Sequence, residues 1–421
     1  MNNKVIKDIS EYAKLFAAKK FIESGYIAVR ESDGIAITVS KADLNNIDEN
    51  SVVFVNDKNI ESYEGNFRAA AVILFCAIRQ DKTAEAAAIV DSDAILQYSN
   101  KRKPLQPVMD NVAKLLGVTV KCASKNVAAE IVTSLSGYRN ACFMPDAGAV
   151  VKARSLKELI IAIDVLDKAC SAEMLAENKG GTQHLNPVNA LLEQAAYRFT
   201  TRSEYSIKPS DKSQDTAQEE SAGKNETTAE TSAENQNNNK AEEANESPIE
   251  NTDNSKRDEV VETYSLKEDE SNSHSNEVAE VAETNSLKDD NSNSKRDEVP
   301  EVARKISVDG GKLVALACPK YVTAVCAIGK PMAVAGEYAE KLGGEISCLP
   351  SKMILSDKAF EKTIALMGDS KICFMAQHGV IVKADGEQEL ADTVELVENV
   401  CKAYFETNSV AENESAAQEQ E

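Results

Sequence analysis

No apolar run in this sequence approaches the length of a transmembrane helix, so a membrane-spanning chain is not expected. Residues 1–10 are polar and mixed in charge, with no apolar core of signal-peptide length, so no targeting segment is visible. Nine cysteines occur without a single Cys-x-x-Cys pair. Cys76, Cys142, Cys170, Cys326 and Cys373 sit inside apolar runs, the pattern of buried thiols in a reducing compartment. A cytoplasmic protein is expected, with neither cysteine catalysis nor a cysteine-bound metal. Positive charge is also scarce: 47 Lys and Arg stand against 69 Asp and Glu, a net charge of −22. Such a balance repels nucleic-acid phosphates and anionic lipid, so neither nucleic acid nor membrane is an expected partner. The excess lies mainly in the middle of the chain and at its C-terminal tail, so it says little about the folded parts.

What is present fills 421 residues, room for two or three domains. Residues 1–178 read as one globular domain. Apolar positions recur at helical spacing over 5–24. Short β-rich runs at 26–30 and 35–40 flank a Ser32-Asp33-Gly34 turn, and a third strand covers 51–55. A buried helix over 66–80 follows. Strands and helices then alternate: a strand at 86–90, a helix after Pro107, a strand at 118–122, a helix from Asn126, a strand region at 142–153 and a helix over 156–175. Strands first and alternating elements afterwards argue a mixed sheet with helices packed on it. Residues 179–200 hold a short helix at 187–197, preceded by His184, which reads as a surface or capping residue.

From 201 to 302 Glu, Asn, Ser, Asp, Lys, Thr and Ala dominate and large apolar residues nearly vanish. Such a segment cannot bury enough surface to offset its ordering entropy, so a disordered acidic linker is expected, with His274 solvated in it. Glu262-Thr263-Tyr264-Ser265-Leu266-Lys267 recurs as Glu283-Thr284-Asn285-Ser286-Leu287-Lys288. Ser255-Lys256-Arg257-Asp258-Glu259-Val260 recurs as Ser294-Lys295-Arg296-Asp297-Glu298-Val299. The period is too short and polar for a solenoid, which leaves a spacer or a short partner-binding motif. Order returns over 303–406: a strand at 313–318, a helix from Pro331, a strand at 345–349, a helix at 357–366, strands within 371–384 and a helix over 387–404. An acidic, disordered tail is expected over 407–421.

The second ordered segment repeats the first. Cys142-Phe143-Met144 matches Cys373-Phe374-Met375, Gly148 matches Gly379, Val151-Lys152-Ala153 matches Val382-Lys383-Ala384, Glu158-Leu159 matches Glu389-Leu390, and Cys170 matches Cys401. All share one offset, 231 residues, without a gap. Asp164, Val165 and Asp167 correspond to Glu395, Leu396 and Glu398. Further upstream, Leu116-Gly117 matches Leu342-Gly343. The segment is a partial copy, matched over the later half of the first.

Ser24-Gly25-Tyr26-Ile27-Ala28-Val29-Arg30, then Gly34-Ile35-Ala36-Ile37-Thr38, then Leu44 and Val52-Val53-Phe54-Val55, ending in the strand–helix pair, resemble the class II aldolase/adducin family. That family includes L-fuculose-phosphate aldolase, L-ribulose-phosphate 4-epimerase and the adducin head. The resemblance covers about residues 5–178 and 310–406. It implies an α/β/α sandwich with a central mixed sheet, and a partial second copy of it after the linker. It also implies a divalent metal, usually zinc, held by a His-x-His pair and a later His-Gly, where it acts as a Lewis acid. The His-x-His slot carries Asp91 and Asp93, and the His-Gly slot carries Ala147. The Ser-Ser-Glu slot for phosphate and acid/base chemistry falls on Ala69, Ala70 and Ala71. The two remaining phosphate slots are Gly25-Tyr26 and Ser40-Lys41. The second copy keeps the His-Gly motif as His378-Gly379, with Cys318-Pro319-Lys320 at its other metal slot.

One imidazole does not hold zinc, so no cofactor is expected; Asp91, Asp93 and His378 are the weak candidate ligands, with Mg²⁺ the harder ion that carboxylates prefer. Three function classes follow. The first is a non-catalytic aldolase-like protein with a structural, oligomerisation or interaction role, as adducin exemplifies in the family. Its partners would be copies of itself, its own second segment or another protein. The second is a metal-dependent sugar-phosphate aldolase or epimerase with a rebuilt metal site. The third is a small-molecule sensor using the vestigial pocket.

Overall fold

The first helix, α1 (Asn3–Ala18), forms because Ile6, Ile9, Ala13 and Phe16 recur on one face and all bury. It stops short of residue 24 because Lys20 turns into the left-handed region, at φ 53°. The computed structural model describes residues 3–23, 25–200, 305–309, 312–351 and 357–418; the expected linker and its repeats lie outside them. After α1 come β1 (Tyr26–Glu31), β2 (Gly34–Thr38), β3 (Val52–Val55), α2 (Gly65–Gln80) and β4 (Ala86–Val90). Then follow α3 (Asp93–Asn100), α4 (Asp110–Leu116), β5 (Lys121–Cys122), α5 (Ala128–Ser134), β6 (Ala141–Met144), β7 (Gly148–Ala153), α6 (Leu156–Ala176) and α7 (Pro187–Thr200).

The seven strands form one mixed sheet in the order β3-β2-β1-β4-β7-β6-β5, antiparallel except for the β5–β6 pair. The central strands β4, β6 and β7 are buried on both faces, which is why they read as unbroken apolar runs. One face packs on α2 and α5 through Ala71, Leu74, Ile78 and Ile131. The other packs on α1, α3, α4 and α6 through Phe16, Ile95, Val112 and Ile163. The result is an α/β/α sandwich.

The second segment holds β8 (Lys305–Asp309), β9 (Lys312–Ala317), α8 (Lys320–Ile328), β10 (Met332–Ala333), α9 (Glu337–Leu342), β11 (Glu345–Ile346) and β12 (Cys348–Leu349). It ends with α10 (Asp357–Leu366), β13 (Ile372–Met375), β14 (Gly379–Ala384) and α11 (Glu387–Gln418). Its sheet, β12-β13-β14-β9-β8, reads backwards as the order β1-β4-β7-β6-β5 of the first. Register confirms the match: Val90 pairs with Ala149, and Ala317 pairs with Val380, 231 residues beyond Ala149. Ala317 is therefore the counterpart of Val90, and β8 the counterpart of β1. The copy reaches further back than its later half; among the described residues it lacks the counterparts of α1, β2, β3, α2 and α7.

Two expectations for this segment need correction, and one helix was not expected at all. No helix starts at Pro331; a short strand lies there, and Gly336 at φ 64° delays α9 to Glu337. The helix that does follow the strand is α8, buried from Val322 to Ile328 and so without the polar face that marks an amphipathic helix. The last helix runs on to Gln418, past residue 407, where the expected tail begins. Its Ala and Glu content favours helix once the packed first turns have nucleated it.

α8 lies against both α6 and α11, and one apolar core runs through the two segments. The buried Lys168 of α6 donates to the carbonyl of Cys318 at 3.0 Å and pairs with Asp164 at 2.9 Å. At the other end of α8, the Gln183 N–H donates to the Ala327 carbonyl at 2.7 Å. The first amides of α8 donate to Glu398: Tyr321 N–H at 2.9 and 3.0 Å, Val322 N–H at 2.9 Å. Burial pushes the Glu398 carboxyl up, and those two amides oppose the rise. Glu398→Ala strands two helix-terminal N–H groups and should cost about 2–3 kcal/mol, read as a lower denaturant midpoint at an unchanged m-value.

At the N-terminal end of β4 the buried Lys152 pairs with Asp81 at 2.9 Å. Burial alone would raise the Asp81 carboxyl, but Lys152 and Thr83 outweigh it and bring it from 3.8 to about 2. A carboxyl depressed on folding stabilises above its unfolded value and loses that contribution as pH falls through the folded one. About 2 kcal/mol should therefore be present above pH 4 and disappear towards pH 2. Asp81→Asn should remove that acid limb and cost about 3 kcal/mol at neutral pH, because Lys152 stays buried without its partner.

Candidate functional site

Beyond the C-terminal end of β4 the chain leaves the sheet and opens a cavity of about 610 Å³. The α1–β1 connection, the loop after β2, the start of α3 and one residue of the second segment, Lys320, surround it. Gly25, Lys41, Asp91 and Asp93 all line it, so the structure brings these four sequence candidates together. Gly25 is required by close approach: a Cβ there would lie 2.0 Å from the Ile89 carbonyl oxygen. Asp91 ties the cavity's two walls. Its N–H donates to the Phe21 carbonyl at 3.1 Å, and its Oδ1 accepts from the Glu23 N–H at 2.7 Å. Asp93 is exposed in the first turn of α3, where a carboxylate suits the helix N-terminus. Between them Ser92 donates its Oγ–H to Asp167 Oδ1 at 2.5 Å. Burial raises the Asp167 carboxyl, and the Ser92 bond opposes the rise.

The other candidates lie elsewhere. Tyr26, Ala70 and Ala71 are buried in the apolar layer between the sheet and α2, with Ile89 and Ala87 beside them. Ala147 packs against the same layer from the β6–β7 turn. Ala69 is exposed on the outer side of α2. Tyr26 reaches out of the layer only through its hydroxyl, which donates to Ser40 Oγ at 3.4 Å. The side chains of Asp91 and Ala147 thus face different layers, although the backbones meet at the end of β4: a Cβ on Gly148 would lie 3.0 Å from the Asp91 Cα. His378 is further away again, in the β13–β14 turn of the second copy. Its Nδ1 lies 3.4 Å from Asp110 Oδ2 at the start of α4, both side chains 3% exposed, without hydrogen-bond alignment at Nδ1. Asp110 in turn holds Lys114 at 2.7 Å, and Lys114 reaches Glu193 at 3.0 Å. The same turn is pinned by its backbone: the Asp110 N–H donates to the Gln377 carbonyl at 3.0 Å.

Among the described residues no three His, Cys, Asp or Glu side chains converge as metal ligands would. The donor chemistry says why zinc does not fit: the layer that holds Ala70, Ala71, Ala147 and Ile89 presents methyl groups. Sequence reasoning missed Lys19, Lys20, Glu23, Asp43 and Lys320 as cavity residues. The signal was there for Asp167, whose counterpart Glu398 also holds the start of a helix. For Lys320 no local signal exists, since only the packing of the two segments brings it to the first segment's cavity.

The model of the Class II Aldolase and Adducin N-terminal domain matches residues 7–174 and again 312–405. This chain belongs to that family. Solved structures of similar fold include an L-fuculose 1-phosphate aldolase, 19% identical, covering 47% of this chain and 98% of that one at a TM-score of 0.41. The L-fuculose-1-phosphate aldolase of Thermus thermophilus is 16% identical, covering 44% and 100% at 0.37. YgbL of Escherichia coli, a putative aldolase/epimerase/decarboxylase, is 15% identical, covering 45% and 98% at 0.39. A search of curated proteins gives no match. Among the described residues of this aldolase-family chain, no helix is long and apolar enough to cross a membrane.

Proposed function

We propose that this class II aldolase-family protein is non-catalytic and works as a binding and assembly scaffold in the cytoplasm, its second copy serving as a built-in partner of the first. One observation carries the reading: among the positions that correspond to acid/base and metal chemistry in the family, Ala70, Ala71 and Ala147 pack methyl groups into an apolar layer, which leaves only the carboxylates Asp91 and Asp93. Nothing in that layer can take a proton or polarise a carbonyl. His378, the one family histidine kept, faces Asp110 across the segment boundary and supports assembly instead. Purified protein should carry substoichiometric zinc and manganese by elemental analysis. It should not release dihydroxyacetone phosphate from L-fuculose 1-phosphate, with or without added metal. Stoichiometric metal together with cleavage would sink this reading. The second reading, an enzyme with a rebuilt site, draws on Asp91 and Asp93 beside the cavity lysines. It requires metal binding that Asp91→Ala and Asp93→Ala abolish.

A further inference from the structure

A second cavity lies at the opposite end of β4 from the first, where the α2–β4 loop, the end of β7 and one face of α7 meet. It measures about 420 Å³, within the range of small-molecule sites. Its apolar wall comes from Leu191, Ala195, Ala153 and the ring of Tyr138. Leu191 is 58% and Tyr138 68% exposed, a large apolar exposure for one spot.

The charges around it are nearly all spoken for. Lys152 holds Asp81 at 2.9 Å. Arg154 grips Glu158 at 2.9 Å through both Nε and Nη2, and the Tyr197 hydroxyl donates to the same carboxylate at 3.1 Å. Lys114 is turned to Asp110 and Glu193. Arg198 is the exception. Its guanidinium stacks over the Tyr138 ring at 4.1 Å, and among the described residues no carboxylate lies within ion-pair distance of it. A half-buried guanidinium keeps its charge and loses hydration, so it gains most from an incoming anion.

We propose that this cavity binds a small organic monoanion, a carboxylate on an aromatic or branched aliphatic body, with the carboxylate on Arg198. The planar fork of Arg198 matches two carboxylate oxygens, and Leu191, Ala195 and Tyr138 cover the apolar body. Arg198 has no ion-pair partner among the described residues, and Asp81 and Glu158, each held by its own cation, act on it only from a distance, so one carboxylate completes the site and the preferred charge is −1. The paired lysines and Arg154 line the walls without attracting a second anionic group.

Phenylacetate is the probe, titrated calorimetrically into the full chain. Saturable one-to-one binding is expected, about ten- to a hundredfold tighter than that of phenylacetamide, the neutral isostere. Arg198→Gln should erase that preference. Ala195→Phe should fill the space and block both ligands. Lys41→Gln, in the other cavity, should change nothing. Circular-dichroism melts of all three variants should match the parent, so that a loss of binding is not a loss of fold. The proposal falls if phenylacetate does not saturate, if the amide binds equally well, or if Arg198→Gln binds as the parent does. It also falls if Lys41→Gln is the variant that loses binding.

Discussion

Cutting the chain after residue 200 should leave a first segment that melts far below the full protein. The reason is α6. It carries buried side chains on nearly every side, and part of its cover comes from α8. Removing the second segment exposes the surface now shared with Val322, Val325 and Ile328, each of them nearly inaccessible. Each such side chain is worth about 1.5–3 kcal/mol on burial, so the loss is on the order of 5 kcal/mol. The usual stability of a domain is about 5–15 kcal/mol, so the fragment would sit close to its unfolding threshold. Lys168 would also lose the Cys318 carbonyl, and the first amide of α4 would lose the Gln377 carbonyl. Thermal melts followed by circular dichroism decide the matter. A fragment that stays monomeric and melts with the parent would show that the second segment contributes nothing to the first.

Gly148→Val should be equally severe, for a different reason. Gly148 opens β7 at φ 87°, in the left-handed region, and a Cβ there would lie 2.0 Å from the Val90 carbonyl oxygen. The obstacle is backbone, so no rotamer change relieves it. β4 would have to move away and break its pairing with β7 at Val90 and Ala149. Conformation and clash together should cost on the order of 4 kcal/mol or more, measured as insoluble expression or a collapsed denaturant midpoint. Gly344 is the control, since its Cβ would meet nothing and its φ is ordinary. Gly344→Ala should leave stability within about 0.5 kcal/mol of the parent, or raise it slightly. Equal midpoints for the two variants would refute the argument.

Gly148 also shows what the sequence made legible. Its match to Gly379 at the 231-residue offset marks the same turn in both copies, where Asp146 and Gln377 are both left-handed, at φ 59° and 64°. Apolar runs located β4, β6 and β7, because strands buried on both faces have no polar residues to interrupt them. The two helices that follow the central strands, α3 and α8, escaped notice. α3 is eight residues long and begins three residues after β4 ends, too short for a clear period. α8 is enclosed by α6 and α11, so its apolar positions run all round. The candidate site was legible as a set of residue types and illegible as geometry. Substitution of the family's site residues is a statement about composition, which the sequence carries. Asp91 and Gly148 do meet at the end of β4, but which face each side chain joins depends on where the strands end: Asp91 lines the cavity while Ala147 packs on the apolar layer.

The contact between the two copies runs one way. α6 of the first receives α8 of the second, and among the described residues no comparable packing of α3 on α11 answers it. A contact of this kind between like units can propagate, link after link, into a fibre unless something ends the series. Here the end groups are chemical. α3 presents exposed Gln97 and Asn100 at the places where α8 has buried Ala324 and Ala327. α11 presents exposed Asn399 and Lys402 where α6 has buried Lys168 and Ser171. A third link would have to strip water from these groups. It would also bring the carboxylate of Asp93, the counterpart of Lys320, towards those of Glu395 and Glu398, where like charges repel. Growth through this contact should therefore stop at two, inside a single polypeptide.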